Sequence, residues 1–192
     1  MKKVLIITGC LLVAAAVSIL VKELIERDQY PLAELDRKTL KNHYEEFSVH
    51  KGTHPKMTYI NKQQLGQSNK VIACFLRDDK PAVVRISGNE NGRYRINQSG
   101  WGGFPTHQES IKANGDWYLV ICGVNPDAKI AKIKAVDEAT GDKLEFSAPK
   151  EEYFMITEKL QVGKSLSKYD EPYYFTQYFD EEGKDITAKW EK

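Results

Sequence analysis

Residues 4–21 read VLIITGCLLVAAAVSILV, without a charge or a proline. As a helix this run rises about 27 Å, close to the ~30 Å hydrocarbon core of a bilayer. A helix that packs on a soluble core carries a polar stripe, and this one has none. The run is therefore withdrawn from any globular interior, and the folded body must be built from the residues C-terminal to it. Lys2 and Lys3 precede the run, while Lys22, Glu23, Glu26 and Arg27 come after it. These flanks are balanced in lysine and arginine, so charge alone does not set the orientation. A long domain behind a short basic tail is usually translocated, which predicts an internal N-terminus and an external domain.

The residues of this segment allow three fates. The first is an uncleaved single-pass anchor, a signal-anchor. The second is a secreted protein with a cleaved signal peptide, since Ala14, Ala15 and Ala16 are small residues of the kind a signal peptidase accepts. The third is lipid attachment, because Ile7-Thr8-Gly9-Cys10 resembles the lipobox of bacterial lipoproteins. Here the apolar run continues well past Cys10, whereas a signal's apolar region ends near its cleavage site. The anchor is the expectation carried forward. Thr8, Gly9, Ala15 and Ser18 would supply a small-residue contact face if the span met a partner in the bilayer.

The chain as a whole has 28 basic and 27 acidic side chains, a net charge of +1. Nucleic-acid binding needs a basic surface that displaces counterions, and this balance argues against it. Basic runs are answered by acids nearby, as Lys129–Lys134 is by Asp137 and Glu138. The expected partners are the membrane and a cell-envelope polymer or protein.

Residues 22–56 read as a juxtamembrane helical stalk and connector, broken at Pro31. Leu32, Leu35, Leu40, Tyr44 and Phe47 recur at spacings of three to five, giving one apolar face. That stripe is too short for a coiled coil, which predicts packing on the chain's own domain. From Met57 the texture changes to short strands: Val71–Leu76, Ala82–Ile86, Tyr94–Ile96, Trp117–Cys122, Ile130–Val136, Leu144–Phe146, Tyr153–Ile156 and Tyr173–Phe179. Turn signals such as Asp78-Asp79-Lys80-Pro81, Asn114-Gly115 and Thr140-Gly141-Asp142 separate them. The expectation for residues 57–192 is a mainly β domain outside the cytoplasm, an antiparallel sandwich or barrel behind the N-terminal transmembrane helix and a short amphipathic helix.

Two segments look alike, KIAKIKAVDEATGDKLEFSA and YYFTQYFDEEGKDITAKW. Each has an alternating strand, an acidic turn with glycine, and a second alternating strand. In the first, Ala131, Ile133 and Ala135 face one way and Lys132 and Lys134 the other. In style, residues 115–190 resemble immunoglobulin-like β-sandwich modules of bacterial membrane-anchored or surface proteins. The resemblance implies an architecture and carries over no functional residue, since the cysteine-pair and tryptophan signature of true immunoglobulin domains is absent.

Cys74 and Cys122 sit in the apolar runs VIACFL and YLVICGV. Outside the cytoplasm they are a candidate disulfide, and in a reducing compartment a pair of buried thiols. Zinc-hydrolase, phosphate-loop and dinucleotide motifs are missing, and no cofactor is expected. Ser165-Leu166-Ser167-Lys168 matches the first element of penicillin-recognising enzymes without its companion motifs. His43, His50 and His54 are weak metal candidates, with Glu45 or Glu46 as further ligands; Gly52 and Pro55 mark the stretch as a connector instead.

The least ordinary segment is the loop Ser99–His107, with Trp101 and Phe104 among glycines. It presents two readings. Trp101, Phe104, His107 and Glu109 line a ligand site for a sugar or peptide, or the aromatics turn inward and plug one end of the sandwich. Aromatics also crowd both faces of Tyr173–Phe179, one as core and the other covered by the amphipathic helix. The turn acids Asp180–Asp185 do not match a calcium-loop spacing. Together these readings describe an anchored β domain that binds or scaffolds at the cell envelope, leaning away from an enzyme; the alternative is an envelope enzyme or sugar-binding module using residues 101–107.

Overall fold

The computed structural model describes the backbone of residues 2–49, 54–161 and 171–190, with side chains from residue 15 onward. Helix α1 spans Lys2–Gln29 and α2 spans Arg37–Ser48. Ten strands come after them: β1 Met57–Gln64, β2 Lys70–Arg77, β3 Lys80–Gly88, β4 Tyr94–Trp101, β5 Thr106–Ala113, β6 Asp116–Val124, β7 Lys132–Asp137, β8 Lys143–Ser147, β9 Tyr153–Leu160 and β10 Tyr174–Phe179. They form three antiparallel sheets, ordered β1-β2-β3-β4, β5-β6-β9 and β10-β7-β8. The expectation of a mainly β, antiparallel body stands, and the layering is deeper than a two-sheet sandwich.

Alternation along the strands explains the layering. In β2, Val71, Ala73 and Phe75 face α2, while Ile72 and Cys74 face the central sheet. In β3, Ala82, Val84 and Ile86 point to α2 and Val83 points inward. The central strand β6 does the same, with Val120 and Cys122 toward the first sheet and Leu119 and Ile121 toward the third. A strand covered on both faces reads as a continuous apolar run, which is what VIACFL and YLVICGV are. The third sheet closes the stack with Ile133, Ala135, Tyr174 and Tyr178.

Helix α2 is short and starts where Asp36 accepts hydrogen bonds from the Lys38 and Thr39 amides, at 2.9 and 3.1 Å. This satisfies two of the donors that a helix N-terminus leaves open. Hydrogen bonding from the Thr39 side chain, with that from the Thr39 amide, holds the Asp36 carboxyl below its ordinary range. Leu40 and Tyr44 from α2 are fully buried on the first sheet. Leu32 and Tyr94 form an isolated antiparallel bridge. The segment from Leu32 to Ser48 is therefore part of the packed body rather than a stalk standing off it.

Two other expectations change. Helix α2 covers the first sheet, so it does not cover the second aromatic face of β10. Tyr174 and Tyr178 are core, while Tyr173 is 64% exposed and Phe175 44%. Second, only the first of the two look-alike segments is a full hairpin, β7–β8. After β10 the chain makes one bridge, Phe179 with Asp185, and Thr187–Lys189 turns into a 3-10 helix. The Thr187 hydroxyl accepts the Tyr178 amide at 2.9 Å, which takes the place of the next ladder bond.

Strands β1 and β5 were not legible as apolar runs. Strand β1, MTYINKQQ, lies at a sheet edge and exposes its second half. Strand β5, THQESIKA, turns Thr106, Gln108 and Ser110 toward the third sheet and His107 and Glu109 toward the first, so polar groups occupy its inward positions. The supposed loop of residues 99–107 shrinks to residues 102–105, between β4 and β5.

Among the described residues, no helix is long and apolar enough to cross a membrane. Most of the predicted span lies on residues 4–14, whose side chains are outside the described residues.

Phe75 is fully buried, with the rings of Tyr44 at 4.9 Å and Tyr59 at 5.4 Å. Phe75→Ala should lower the free energy of unfolding by about 3–5 kcal/mol in urea titration, since it removes a large ring from a site lined on both sides. Cys74 and Cys122 are joined by a disulfide, with Cα atoms 5.7 Å apart across 48 residues of chain. The bond ties the first sheet to the central one. Replacing both cysteines with alanine should cost about 2–5 kcal/mol by the same measurement, and alkylation in denaturant, where both sulfurs are accessible, should leave them unmodified until reductant is added.

Candidate functional site

Three ionisable side chains between the first and central sheets meet at one point. Arg85 on β3 points into the space between the first and central sheets. Glu109 on β5 meets it there, with Arg85 Nε donating to Glu109 Oε2 at 2.6 Å. His107, two residues earlier on the same face, lies with Nε2 3.2 Å from Glu109 Oε1. The Glu109 side chain is only 10% exposed. Both of its oxygens are therefore taken by cationic or donor groups. Arg85 also reaches Glu171 at 3.6 Å and the Ser110 carbonyl at 3.5 Å.

Gly100 makes this cluster sterically possible. It pairs with Val83 in the first sheet and lies directly over the acid. A Cβ there would stand 2.0 Å from Glu109 Oε1 and 2.7 Å from His107 Nε2. No side chain fits without moving the ion pair. The glycine that suggested a flexible display loop instead serves close approach of two sheets.

Burial pushes the Glu109 carboxyl up, but hydrogen bonds from His107 and Arg85, with the charge on Arg85, outweigh it and hold the group below its ordinary value of 4.5. An acid held ionised, with both oxygens bonded, is poorly suited to donate a proton near neutral pH. His107 in turn faces this carboxylate rather than a hydroxyl or thiol nucleophile. The Ser110 hydroxyl, one residue beyond Glu109, donates instead to the Pro172 carbonyl. The arrangement is that of an ionic lock between sheets.

Two clefts flank the lock and share Arg85 and Glu171. One, about 290 Å³, opens between Lys70, Ser87, Gln98, Lys112 and Trp117. The other, about 330 Å³, lies between Gln108, Glu109, Leu119 and the segment Pro172–Tyr174. Neither is lined by Trp101 or Phe104. Trp101 is 47% exposed, with the Arg77 guanidinium 4.5 Å from its ring centroid. Phe104 is 43% exposed and packs on Trp190, with ring centroids 5.5 Å apart.

The residues predicted to share a ligand site are therefore split. His107 and Glu109 lie between the sheets; Trp101 and Phe104 lie on the outside, each against a different neighbour. The aromatics are not buried plugs either, being half-exposed. Alternation along β4 and β5 is the cause: His107 and Glu109 share one face of β5, while Trp101 and Phe104 flank a turn that leaves both sheets. Sequence reasoning did not single out Arg85. Its signal was a lone cation inside the run AVVRI, where a buried partner is required.

Of the metal candidates, His43 lies on α2 with Nδ1 3.7 Å from Glu46, and His54 is exposed. His50 lies outside the described residues, as does Ser165-Leu166-Ser167-Lys168. Among the described residues, no group of three or more potential ligands converges on a metal position.

Comparison with known proteins found no matching family model, no matching curated protein and no matching solved structure. The site must be read from its own geometry.

The lock predicts a pH dependence with a definite sign. Glu109 titrates lower in the folded than in the unfolded chain, so the unfolded state takes up the proton first. The stability it contributes is present above about pH 4.5 and is lost as pH falls through the lower folded value. Glu109→Gln should flatten the stability-against-pH curve below that point. At neutral pH it should destabilise by about 3 kcal/mol, since Arg85 and His107 lose their carboxylate in a part-buried site.

Proposed function

We propose that this chain is a single-pass, membrane-anchored β domain that lies outside the cytoplasm and binds or scaffolds at the cell envelope. The observation that carries the reading is the exposed surface of α1. From Ala15 to Ile25 every side chain is exposed, including Val17, Ile19, Leu20, Val21, Leu24 and Ile25. None of these apolar groups rests on the domain. A helix apolar on all sides needs a non-aqueous surrounding or another helix to cover it. The uncharged run Val4–Val21 is the length a bilayer requires.

Two further features support the placement and the binding role. The Cys74–Cys122 bond belongs to proteins of oxidising compartments. In the ionic cluster both Glu109 oxygens are already bonded, to Arg85 and to His107, which favours scaffolding over catalysis. Separation of Trp101 and Phe104 from His107 and Glu109 weakens the alternative of an envelope enzyme or sugar-binding module built on residues 101–107.

The full chain, expressed in cells, should pellet with membranes, resist carbonate extraction and lose its domain to protease added to intact cells. A chain beginning at Lys22 should be recovered in the soluble fraction. Mass spectrometry of the N-terminus separates the three fates: an intact terminus means an anchor, a terminus after Ala16 a cleaved signal, and a lipidated Cys10 a lipoprotein. Recovery in the cytoplasm with Cys74 and Cys122 reduced would overturn the reading.

A further inference from the structure

The end of α1 is fastened to the domain rather than tethered to it. The Glu26 carboxylate accepts hydrogen bonds from the side-chain amides of Asn89 and Asn91, in the turn between β3 and β4. Arg93, just past that turn, donates from Nε to the Tyr30 carbonyl at 2.8 Å and from its terminal nitrogen to the Pro31 carbonyl at 3.1 Å. The Arg95 guanidinium lies 4.9 Å from the Tyr30 ring centroid. Leu32 and Tyr94 then exchange backbone hydrogen bonds at 3.0 and 2.8 Å. The passage from helix to sheet is thus gripped at Glu26, Tyr30, Pro31 and Leu32 by one hairpin.

The spacing turns this clamp into a statement about depth. Glu26 lies five residues beyond Val21, a helical rise of about 7.5 Å. The headgroup layer on one side of a bilayer is about 5–8 Å thick, half the difference between the ~40–45 Å total and the ~30 Å hydrocarbon core. Glu26 therefore falls at the outer limit of the headgroups, and the turn that grips it falls at the same level. The turn residues Glu90, Asn91 and Gly92 are exposed and polar, as contact with headgroups requires. Three cations near the turn are engaged within the protein and do not make a lipid-selective patch. Arg93 and Arg95 hold Tyr30 and Pro31, and Arg27 pairs with Glu23 at 2.5 Å.

We propose that the β3–β4 turn, Asn89–Gly92, rests on the lipid headgroup layer and fixes the orientation of the domain against the bilayer. This rests on the anchor reading above. It places the domain directly on the membrane surface, with no stalk between them.

The test uses the full chain with Cys10→Ser and the Cys74–Cys122 disulfide intact, reconstituted into phosphatidylcholine vesicles. A fluorophore is attached at Glu90→Cys, at Lys80→Cys or at Glu182→Cys. Lys80 begins β3 and lies about 26 Å along that strand from Gly88. A nitroxide carried on the lipid headgroup is then added as quencher. Quenching at residue 90 should exceed that at residues 80 and 182 several-fold. Adding Glu26→Ala with Arg93→Ala should reduce it towards theirs while the protein still floats with the vesicles. Flotation with equal quenching at all three positions would overturn the proposal and leave the anchor standing. Failure to float would remove the anchor and the proposal with it. Circular dichroism of each labelled variant, matching the parent, establishes that the label reports on the folded domain.

Discussion

The molecule depends on strands that bury both of their faces. Strands β2 and β3 in the first sheet and β6 in the central sheet each send alternate side chains into two different apolar layers. Each layer is thin, and neither would suffice alone for a body of this size. Sharing strands between layers lets three small sheets and a helix of twelve residues act as one core. Strand β6 as a whole thus serves two layers, Val120 and Cys122 filling one and Leu119 and Ile121 the other.

This constraint also explains where polarity is admitted. Arg85 and Glu109 occupy positions that alternation would assign to apolar residues. They are tolerated because they meet each other, and because Gly100 leaves the room that a side chain would fill. A part-buried pair of this kind is weak evidence for added stability, since desolvating the charges offsets much of their attraction. Its stronger effect is on register. The pair forms only when β3, β4 and β5 are aligned so that Gly100 stands over Glu109, and a slip of one residue would bring a side chain into that space.

Much of the fold was legible in the sequence because these double-faced strands are unusually apolar. VIACFL and YLVICGV announced themselves, and the turn signals between runs marked most strand ends. Strand β5 was not legible, since it carries Thr106, Gln108, Ser110, His107 and Glu109 into contacts that only the tertiary structure supplies. The number of layers was hidden for a related reason: an apolar run shows that both faces of a strand are covered, without showing what covers them. The candidate site was legible in part. Nearness to an odd loop singles out Glu109 and His107, and the cation that Glu109 meets, Arg85, lies 24 residues earlier on another sheet. Sequence proximity alone groups Trp101 and Phe104 with them, and a strand–turn–strand does not preserve that proximity.

The order in which strands join their sheets carries a consequence for synthesis. The first sheet is a simple meander, each strand pairing with its neighbour in the chain, so its contacts are local and quickly made. The other two sheets are interleaved. The chain lays down β5 and β6, leaves to make β7 and β8, returns with β9 to finish the central sheet, and leaves again with β10. Until residue 160 has emerged from the ribosome, the edge of β6 that β9 will take has no partner, and the apolar groups between the two sheets lack their cover. A nascent chain stalled anywhere between β6 and β9 would thus present a complete N-terminal meander beside an open, adhesive strand, and it is over that interval that this protein most needs protection from its neighbours.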